Sequence, residues 1–216
     1  MRPGHEGPPA TSRILSARRV ATGPPREVFR FLFPLPRAGL DSIEDVTPLA
    51  LGLAAVLTLP VPFEAQKQED TCGAASLAMV LRFWAQDVSQ ERITAALLEP
   101  ELRGIPGSRL AEFARERGLR AVPYEGDLTQ LRDFVEKGRP LIVAWKVGRD
   151  RYHNVVVTGF DDEKASVIVN DPAKGADRRV SRQKFEERWA GGNHWTLLVL
   201  PEGEPYAEPA QRLRSR

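Results

Sequence analysis

The sequence is poor in the residue types that build disulfide frameworks and metal sites. Its 216 residues include one cysteine, Cys72, and three histidines. A single cysteine excludes an internal disulfide, and a cysteine-rich structural zinc site needs more thiols than this. No pair of histidines has the helical spacing of metal ligands. We therefore expect no metal and no other cofactor.

An excess of charge of one sign is also absent. The 31 lysines and arginines nearly balance the 29 aspartates and glutamates, which leaves a net charge of +2 and no long basic run. Proteins that bind nucleic acid carry a concentrated basic surface, so the sequence favours no nucleic-acid partner. With 42% hydrophobic residues, the chain can build one sizeable core and is expected to form one main domain.

An uncharged apolar segment at residues 47–62 is too short for an ordinary membrane span, but it has the length of a signal-peptide core. Acidic residues precede it where a signal peptide has basic ones, and no Ala-x-Ala cleavage site follows. Two alternatives stay open. The segment at 48–62 is an export signal or membrane anchor, or it is the first buried element, a core helix or a strand at 57–61. A membrane-associated or exported protein follows from the first alternative, and a cytoplasmic protein remains compatible with the second.

The rest of the chain divides by composition. Residues 1–46 are rich in proline and arginine and lack any helical or strand period, which predicts a disordered tail. After the apolar segment we predict a folded domain over 63–201 and a C-terminal tail over 202–216. Apolar residues after Cys72 recur at helical spacing and predict a buried helix.

Local signals predict further helices and then strands. Helix N-caps are expected at Ser89 and Ser108, and Asp127 with Gln130 forms a capping box. Short runs rich in valine and leucine predict strands at 141–147, 152–160, 165–170 and 194–200, with a helix at 181–189 between the last two. Helices first and strands later predict an α+β fold, with N-terminal helices packed on a largely antiparallel sheet.

Cys72 is a candidate nucleophile because it lies where a loop turns into the predicted helix. Unpaired backbone N–H groups and the positive end of the helix dipole favour a thiolate in the first turn. Read alone, however, the residue could equally be an inert buried cysteine.

A predicted hairpin supplies partners for this thiol. Two strand-like runs flank the polar turn 161–164, as a hairpin with a four-residue loop requires. If Phe160 pairs with Ala165, His153 lies one step from the position opposite Asp171. Opposed and diagonal residues in a sheet are about 4.5–8 Å apart, within reach of a hydrogen bond from an imidazole to a carboxylate. The pattern predicts a general base held by an acid, as cysteine chemistry needs.

Two further roles have rival candidates. Gln66 precedes the cysteine in the same loop and could donate its amide to an oxyanion beside the Cys72 backbone N–H, and Gln68 is the rival for that role. Asn170 could orient His153 in place of Asp171, but strand alternation turns these neighbours to opposite faces. His194 is interpreted as a residue at a strand end without a catalytic role.

Three motifs in this order resemble the bacteriocin-processing cysteine peptidases, and the resemblance spans about Leu59 to Pro201. The motifs are Gln66 with Asp70 to Met79, His153 to Asp161, and Val169 to Gly175. Family members are papain-like domains at the N-terminus of bacterial ABC exporters, where they cut leader peptides after a double glycine. The resemblance implies that Cys72 is the nucleophile, His153 the base, Asp171 the orienting acid and Gln66 the oxyanion donor.

The activity implied is that of a bacterial thiol protease, a hydrolase that cleaves a peptide or leader sequence through a thioester acyl-enzyme. Two alternatives remain: an acyltransferase that uses the same cysteine, and a non-catalytic module that binds leader peptides. The family's exporters add a membrane domain and an ATPase, but the sequence contains no Gly-x-x-x-x-Gly-Lys-Ser/Thr phosphate loop. ATP binding and transport are therefore not implied. Expected partners are a peptide or protein substrate, such as a double-glycine leader, and a separate ABC exporter.

Overall fold

The computed structural model describes residues 56–149 and 151–206, and the predicted tail at 1–46 lies outside them. The described α-helices are α1 Cys72–Phe83, α2 Gln90–Leu97, α3 Gly107–Arg115, α4 Leu128–Glu136 and α5 Arg182–Ala190. The strands are β1 Val56–Thr58, β2 Leu119–Glu125, β3 Leu141–Lys146, β4 Tyr152–Asp161, β5 Ser166–Asp171, β6 Gly175–Ser181 and β7 Trp195–Pro201.

Three of the five described α-helices, α2, α4 and α5, start at a side chain that caps the helix, whereas α1 and α3 do not. The Ser89 side chain accepts a hydrogen bond from the Arg92 backbone N–H, and Asp127 forms the predicted capping box. The predicted cap at Ser108 is wrong, because the N-cap of α3 is Pro106, two residues earlier, and the helix starts at Gly107. At Gly107 a Cβ would lie 2.3 Å from the Trp195 ring, so only glycine lets this first turn approach β7 so closely.

The strands form one antiparallel sheet in the order β2-β7-β3-β4-β5-β6, and β1 pairs with the C-terminal part of β4. The predicted α+β class with a largely antiparallel sheet is confirmed. Strands β2 and β6 escaped prediction, because β2 contains Pro123 and β6 is mostly charged and exposed. Both lie at sheet edges, where proline and charge are tolerated.

Helices cover both faces of the sheet. One core cluster joins α1, α2 and α3 to residues such as Ile142 and Val156, and the other joins α4 and α5 to residues such as Val143 and Val155. Alternation along β3 and β4 produces this division, since neighbouring side chains point to opposite faces. Residues His153 and Asn154 of β4 therefore belong to different faces, which matters for the site.

The predicted hairpin forms, but its predicted register is wrong by two residues. Phe160 pairs with Val167 instead of Ala165, and an irregularity between Val157 and Gly159 then shifts the ladder by one residue. The turn explains the difference, because Asp161 Oδ1 accepts the Lys164 N–H at 3.0 Å and so remains at the strand end. Ala165 has a φ of 44° and belongs to the turn.

The end of the apolar segment 47–62 is part of the sheet. Strand β1 pairs with β4, the Leu59 N–H donates to the Thr158 carbonyl at 2.8 Å, and Val61 is buried. The close pairing depends on Gly159, where a Cβ would lie 2.1 Å from the Leu57 carbonyl oxygen. The described part of the segment thus includes a first strand, which is largely exposed, and a buried residue, Val61, just beyond it. Export through residues 48–62 stays a prediction. Within 56–149 and 151–206, no helix has both the length and the apolar character needed to cross a membrane.

Candidate active site

The thiol of Cys72 lies at an end of the sheet where β4 extends beyond β5. Cys72 is the first residue of α1 and is 8% exposed. Pairing between β4 and β5 stops at Val156 and Asn170, so the first residues of β4 have no partner on that side. Helix α1 packs against β4 and places its N-terminus beside this overhang.

His153 and Asp171 meet beside the thiol, as the sequence predicted. His153 Nε2 lies 2.7 Å from Asp171 Oδ1, and both side chains are largely buried. The same carboxylate oxygen accepts the Ala173 backbone N–H at 3.0 Å, which holds it in place. Asp171 occupies Nε2, so Nδ1 is the imidazole nitrogen left for the thiol. The pairing survives the error in register because His153 reaches Asp171 diagonally, past the end of β5.

The surroundings favour a thiolate and an imidazolium. Burial acts to raise the pKa of the Cys72 thiol, but the hydrogen bond and charge of His153 and the hydrogen bonds from Asn154 outweigh it, so this pKa is lowered. Burial acts to lower the pKa of His153, but Asp171 and Cys72 raise it to about 9. For Asp171, burial is outweighed by the hydrogen bond from His153, and the pKa of this carboxyl is lowered. A lowered thiol pKa increases the nucleophilic fraction at neutral pH.

Asn154 is a site residue that the sequence analysis missed. Its backbone N–H donates to Cys72 Sγ at 3.4 Å, and its side-chain Nδ2 lies 3.9 Å from the same atom. The backbone donor is free for this role because β5 does not reach residue 154. Gly73 leaves room for the amide, since a Cβ there would be 3.2 Å from Asn154 Nδ2. No signal in the sequence identifies this residue, because only the packing of α1 on β4 brings it to the thiol.

Gln66 lines the same cavity as Cys72, a space of about 670 Å³. Its backbone N–H donates to the Pro172 carbonyl at 2.9 Å, which ties the loop to the end of β5. Its side-chain Nε2 donates to the Gln68 carbonyl at 3.0 Å, so one amide hydrogen remains for an oxyanion. The rival Gln68 is exposed and does not line this cavity.

The other candidates lie elsewhere. The Asn170 amide donates to the Val61 carbonyl at 3.1 Å and accepts the Asp177 N–H, away from His153. His194 pairs with Glu186 at 2.7 Å. Across the part of the chain that the structure describes, no cluster of His, Cys, Asp or Glu is arranged to hold a metal ion.

Known proteins share this sequence pattern over most of the described residues. The model of the Peptidase_C39 like family matches residues 58–194. The chain is 33% identical over 147 residues to the probable functional amyloid protease FapD of Pseudomonas fluorescens, covering 64% of this chain and 60% of FapD. It is 25% identical over 147 residues to the lactococcin-G-processing and transport ATP-binding protein LagD of Lactococcus lactis subsp. lactis, covering 67% of this chain and 19% of LagD.

Solved structures show the same fold. A double glycine motif protease from an AMS/PCAT transporter, crystallised with a leader peptide, is 29% identical with a TM-score of 0.54, covering 68% of this chain and 93% of that one. A second structure, a putative C39-like peptidase from Bacillus anthracis, supports the fold alone. It is 22% identical with a TM-score of 0.56, covering 68% of this chain and 98% of that one. The family resemblance and the papain-like fold class predicted from the sequence are both confirmed. Because the family model covers well over half of its residues, the chain belongs to the Peptidase_C39 like family.

Proposed function

We propose that the chain is a cysteine peptidase that hydrolyses a peptide bond through a thioester acyl-enzyme. The observation that carries the proposal is the arrangement at the start of α1. There the Cys72 thiol has a lowered pKa, and its partner His153 is held by Asp171 at 2.7 Å. This arrangement has the geometry and charge that a nucleophile, a base and an orienting acid require.

Each group has a defined step in this proposal. The Cys72 thiolate attacks the peptide carbonyl carbon, and the Cys72 backbone N–H with the free amide hydrogen of Gln66 stabilises the oxyanion. His153 gives its proton to the leaving amine as the carbon–nitrogen bond breaks, which leaves a thioester. His153 then takes a proton from water, the hydroxide attacks the thioester, and the carboxylic acid and the thiolate are released. Asp171 keeps the imidazole oriented and favours its charged form.

For the substrate we propose a leader segment that ends in two glycines. The support is the 29% identical structure, which is a double glycine motif protease with a leader peptide bound. For the partner we propose an ABC exporter on a separate chain, since LagD is both a processing and a transport protein and the sequence lacks a phosphate loop.

The test of the activity uses a synthetic peptide with an internal Gly-Gly and mass spectrometry of the products. The wild-type chain is expected to cut after the second glycine, and Cys72→Ala to leave the peptide intact. A thiol-reactive probe should label Cys72 faster than free cysteine near neutral pH. A thiol that reacts no faster than free cysteine, in a chain that cuts nothing, would leave only the peptide-binding alternative.

Added amine acceptors separate hydrolysis from transfer. A peptidase yields the free acid whether or not an amine is present, whereas an acyltransferase yields the amide. Predominant amide formation would therefore replace the peptidase proposal with the acyltransferase alternative.

A further inference from the structure

A second cavity, of about 450 Å³, adjoins the one that contains Cys72. The two cavities share Val147, Arg151, His153 and Ala173, so they are parts of one cleft that meet at the imidazole. We call the part with Cys72 and Gln66 the thiol side, and the part with Trp145 and Asp171 the histidine side.

Cations dominate the histidine side. Its lining includes Lys146, Arg151, Lys174 and Arg188, and its one carboxylate, Asp171, is engaged by His153. Within the described residues, Lys146, Lys174 and Arg188 form no ion pair with a carboxylate. Lys174 acts on the Asp171 carboxylate through its charge without forming an ion pair with it, so the charged groups of all three residues remain available for direct contact with a ligand.

One of these cations is held in place by packing. The Arg188 guanidinium lies 5.4 Å from the centroid of the Trp145 ring, and Trp145 is buried and stacks on His153 with centroids 6.2 Å apart. A cation stacked on an aromatic ring is attracted by it and loses rotational freedom. The guanidinium is thus directed toward the cleft beside the catalytic imidazole.

The thiol side has a different charge. Its lining includes Glu69, Asp70 and Glu101, against Arg103 and Arg151. Asp70 pairs with both arginines, at 3.4 Å and 3.7 Å. The cations on this side are therefore largely neutralised, and the free positive charge lies beyond His153.

The proton transfer from His153 to the leaving amine determines which half of the substrate lies on each side of the cleft. The imidazolium must reach the leaving nitrogen, so the peptide segment that follows the scissile bond passes His153 and enters the histidine side. The acyl segment remains on the thiol side, next to Gln66.

We propose that the histidine side is a binding site for acidic side chains in the first residues after the scissile bond. The site rests on the proposed peptidase function and adds a substrate preference to it. Carboxylates of glutamate or aspartate would lie among Lys146, Lys174 and Arg188, where they meet unpaired positive charge.

The test compares three synthetic peptides that share the Gly-Gly and differ only at the second and third residues after it: Glu-Glu, Gln-Gln or Lys-Lys. For the wild-type chain, kcat/KM should be about tenfold higher for Glu-Glu than for Gln-Gln at low salt, from exposed ion pairs of ordinary strength. Added salt should shrink this ratio, because exposed charges are screened.

Charge reversal provides the decisive comparison. In the double variant Lys174→Glu, Arg188→Glu the preferred peptide should become Lys-Lys. The control Lys164→Glu makes the same kind of charge change in the turn at the other end of β5, outside the cavity, and should keep the wild-type preference. Ratios measured on one variant cancel any effect on the catalytic pair itself.

The outcomes are separable. Equal rates for all three peptides, or a preference unchanged in the double variant, would overturn the acidic site and leave the peptidase intact. Failure to cut any peptide, together with an unreactive Cys72, would remove the peptidase function and this site with it.

If Cys72 is reactive but the peptides are not cut, the rates of Cys72 alkylation test the acidic site instead. The rate with iodoacetate relative to iodoacetamide should fall in the double variant and not in the control. An unchanged ratio would overturn the proposal.

Discussion

Replacing Asp171 by asparagine removes the negative charge beside His153 and keeps the shape of the side chain. Asp171 Oδ1 accepts hydrogen bonds from His153 Nε2 and from the Ala173 N–H, and an asparagine Oδ1 can accept both. The substitution therefore isolates the contribution of charge to the proposed catalytic pair.

The magnitude follows from the pKa of His153, which is raised from 6.5 to about 9. Burial by itself opposes this rise, and Asp171 and Cys72 together overcome it. The rise of about 2.5 pH units corresponds to about 3 kcal/mol in favour of the imidazolium. If the carboxylate supplies about half of this, Asp171→Asn loses about 1.5 kcal/mol, which lowers kcat/KM by up to about tenfold near pH 9 and above, where the wild-type imidazolium persists and that of the variant has lost its proton.

The assay is the pH profile of kcat/KM with the Gly-Gly peptide. In the proposed mechanism the active form carries a thiolate and an imidazolium, so activity should rise as the Cys72 thiol ionises and fall as His153 loses its proton near pH 9. In Asp171→Asn the pKa of His153 falls, so the alkaline limb of the profile should shift to lower pH by more than one pH unit. The exposed Asp177 on β6 offers a matched control, since Asp177→Asn should leave the profile unchanged. An alkaline limb that stays near pH 9 in Asp171→Asn would refute the assigned role.

Three other substitutions test separate parts of the structure. Asn154→Leu removes a donor to Cys72 Sγ, so the pH midpoint of iodoacetamide alkylation should rise and the rate near pH 7 should fall by about three- to tenfold; a slower rate with an unmoved midpoint would contradict this. Gln66→Ala should lower kcat by about 10²–10³ and leave alkylation unchanged, because alkylation forms no oxyanion; equal losses in both assays would count against the oxyanion role. Gly159→Ala forces a Cβ against the Leu57 carbonyl and should lower the free energy of unfolding by about 1–3 kcal/mol in urea titrations; a change below about 0.5 kcal/mol would show that β1 moves aside at little cost.

Local chemistry made much of the fold predictable. A cap such as Ser89 or the Asp127 capping box depends on residues within one helical turn, so the sequence alone identifies it. The cap at Ser108 was predicted wrongly, since α3 begins at Gly107, which packs against Trp195, a residue far away in the chain. Strand β6 was not predicted, because a charged edge strand lacks the apolar alternation that identifies strands in a sequence.

The sequence by itself determined the elements of the candidate site: one thiol at a helix start, and a hairpin that carries His153 near Asp171. The two strands of a hairpin are close in the chain, so the contact between His153 and Asp171 was predicted correctly although the register was wrong. Tertiary structure decided the remainder. Only the packing of α1 on β4 brings Asn154 to the thiol, and only α5 brings Arg188 to the far side of His153. These contacts join segments distant in sequence, and their geometry depends on how the two faces of the sheet are covered.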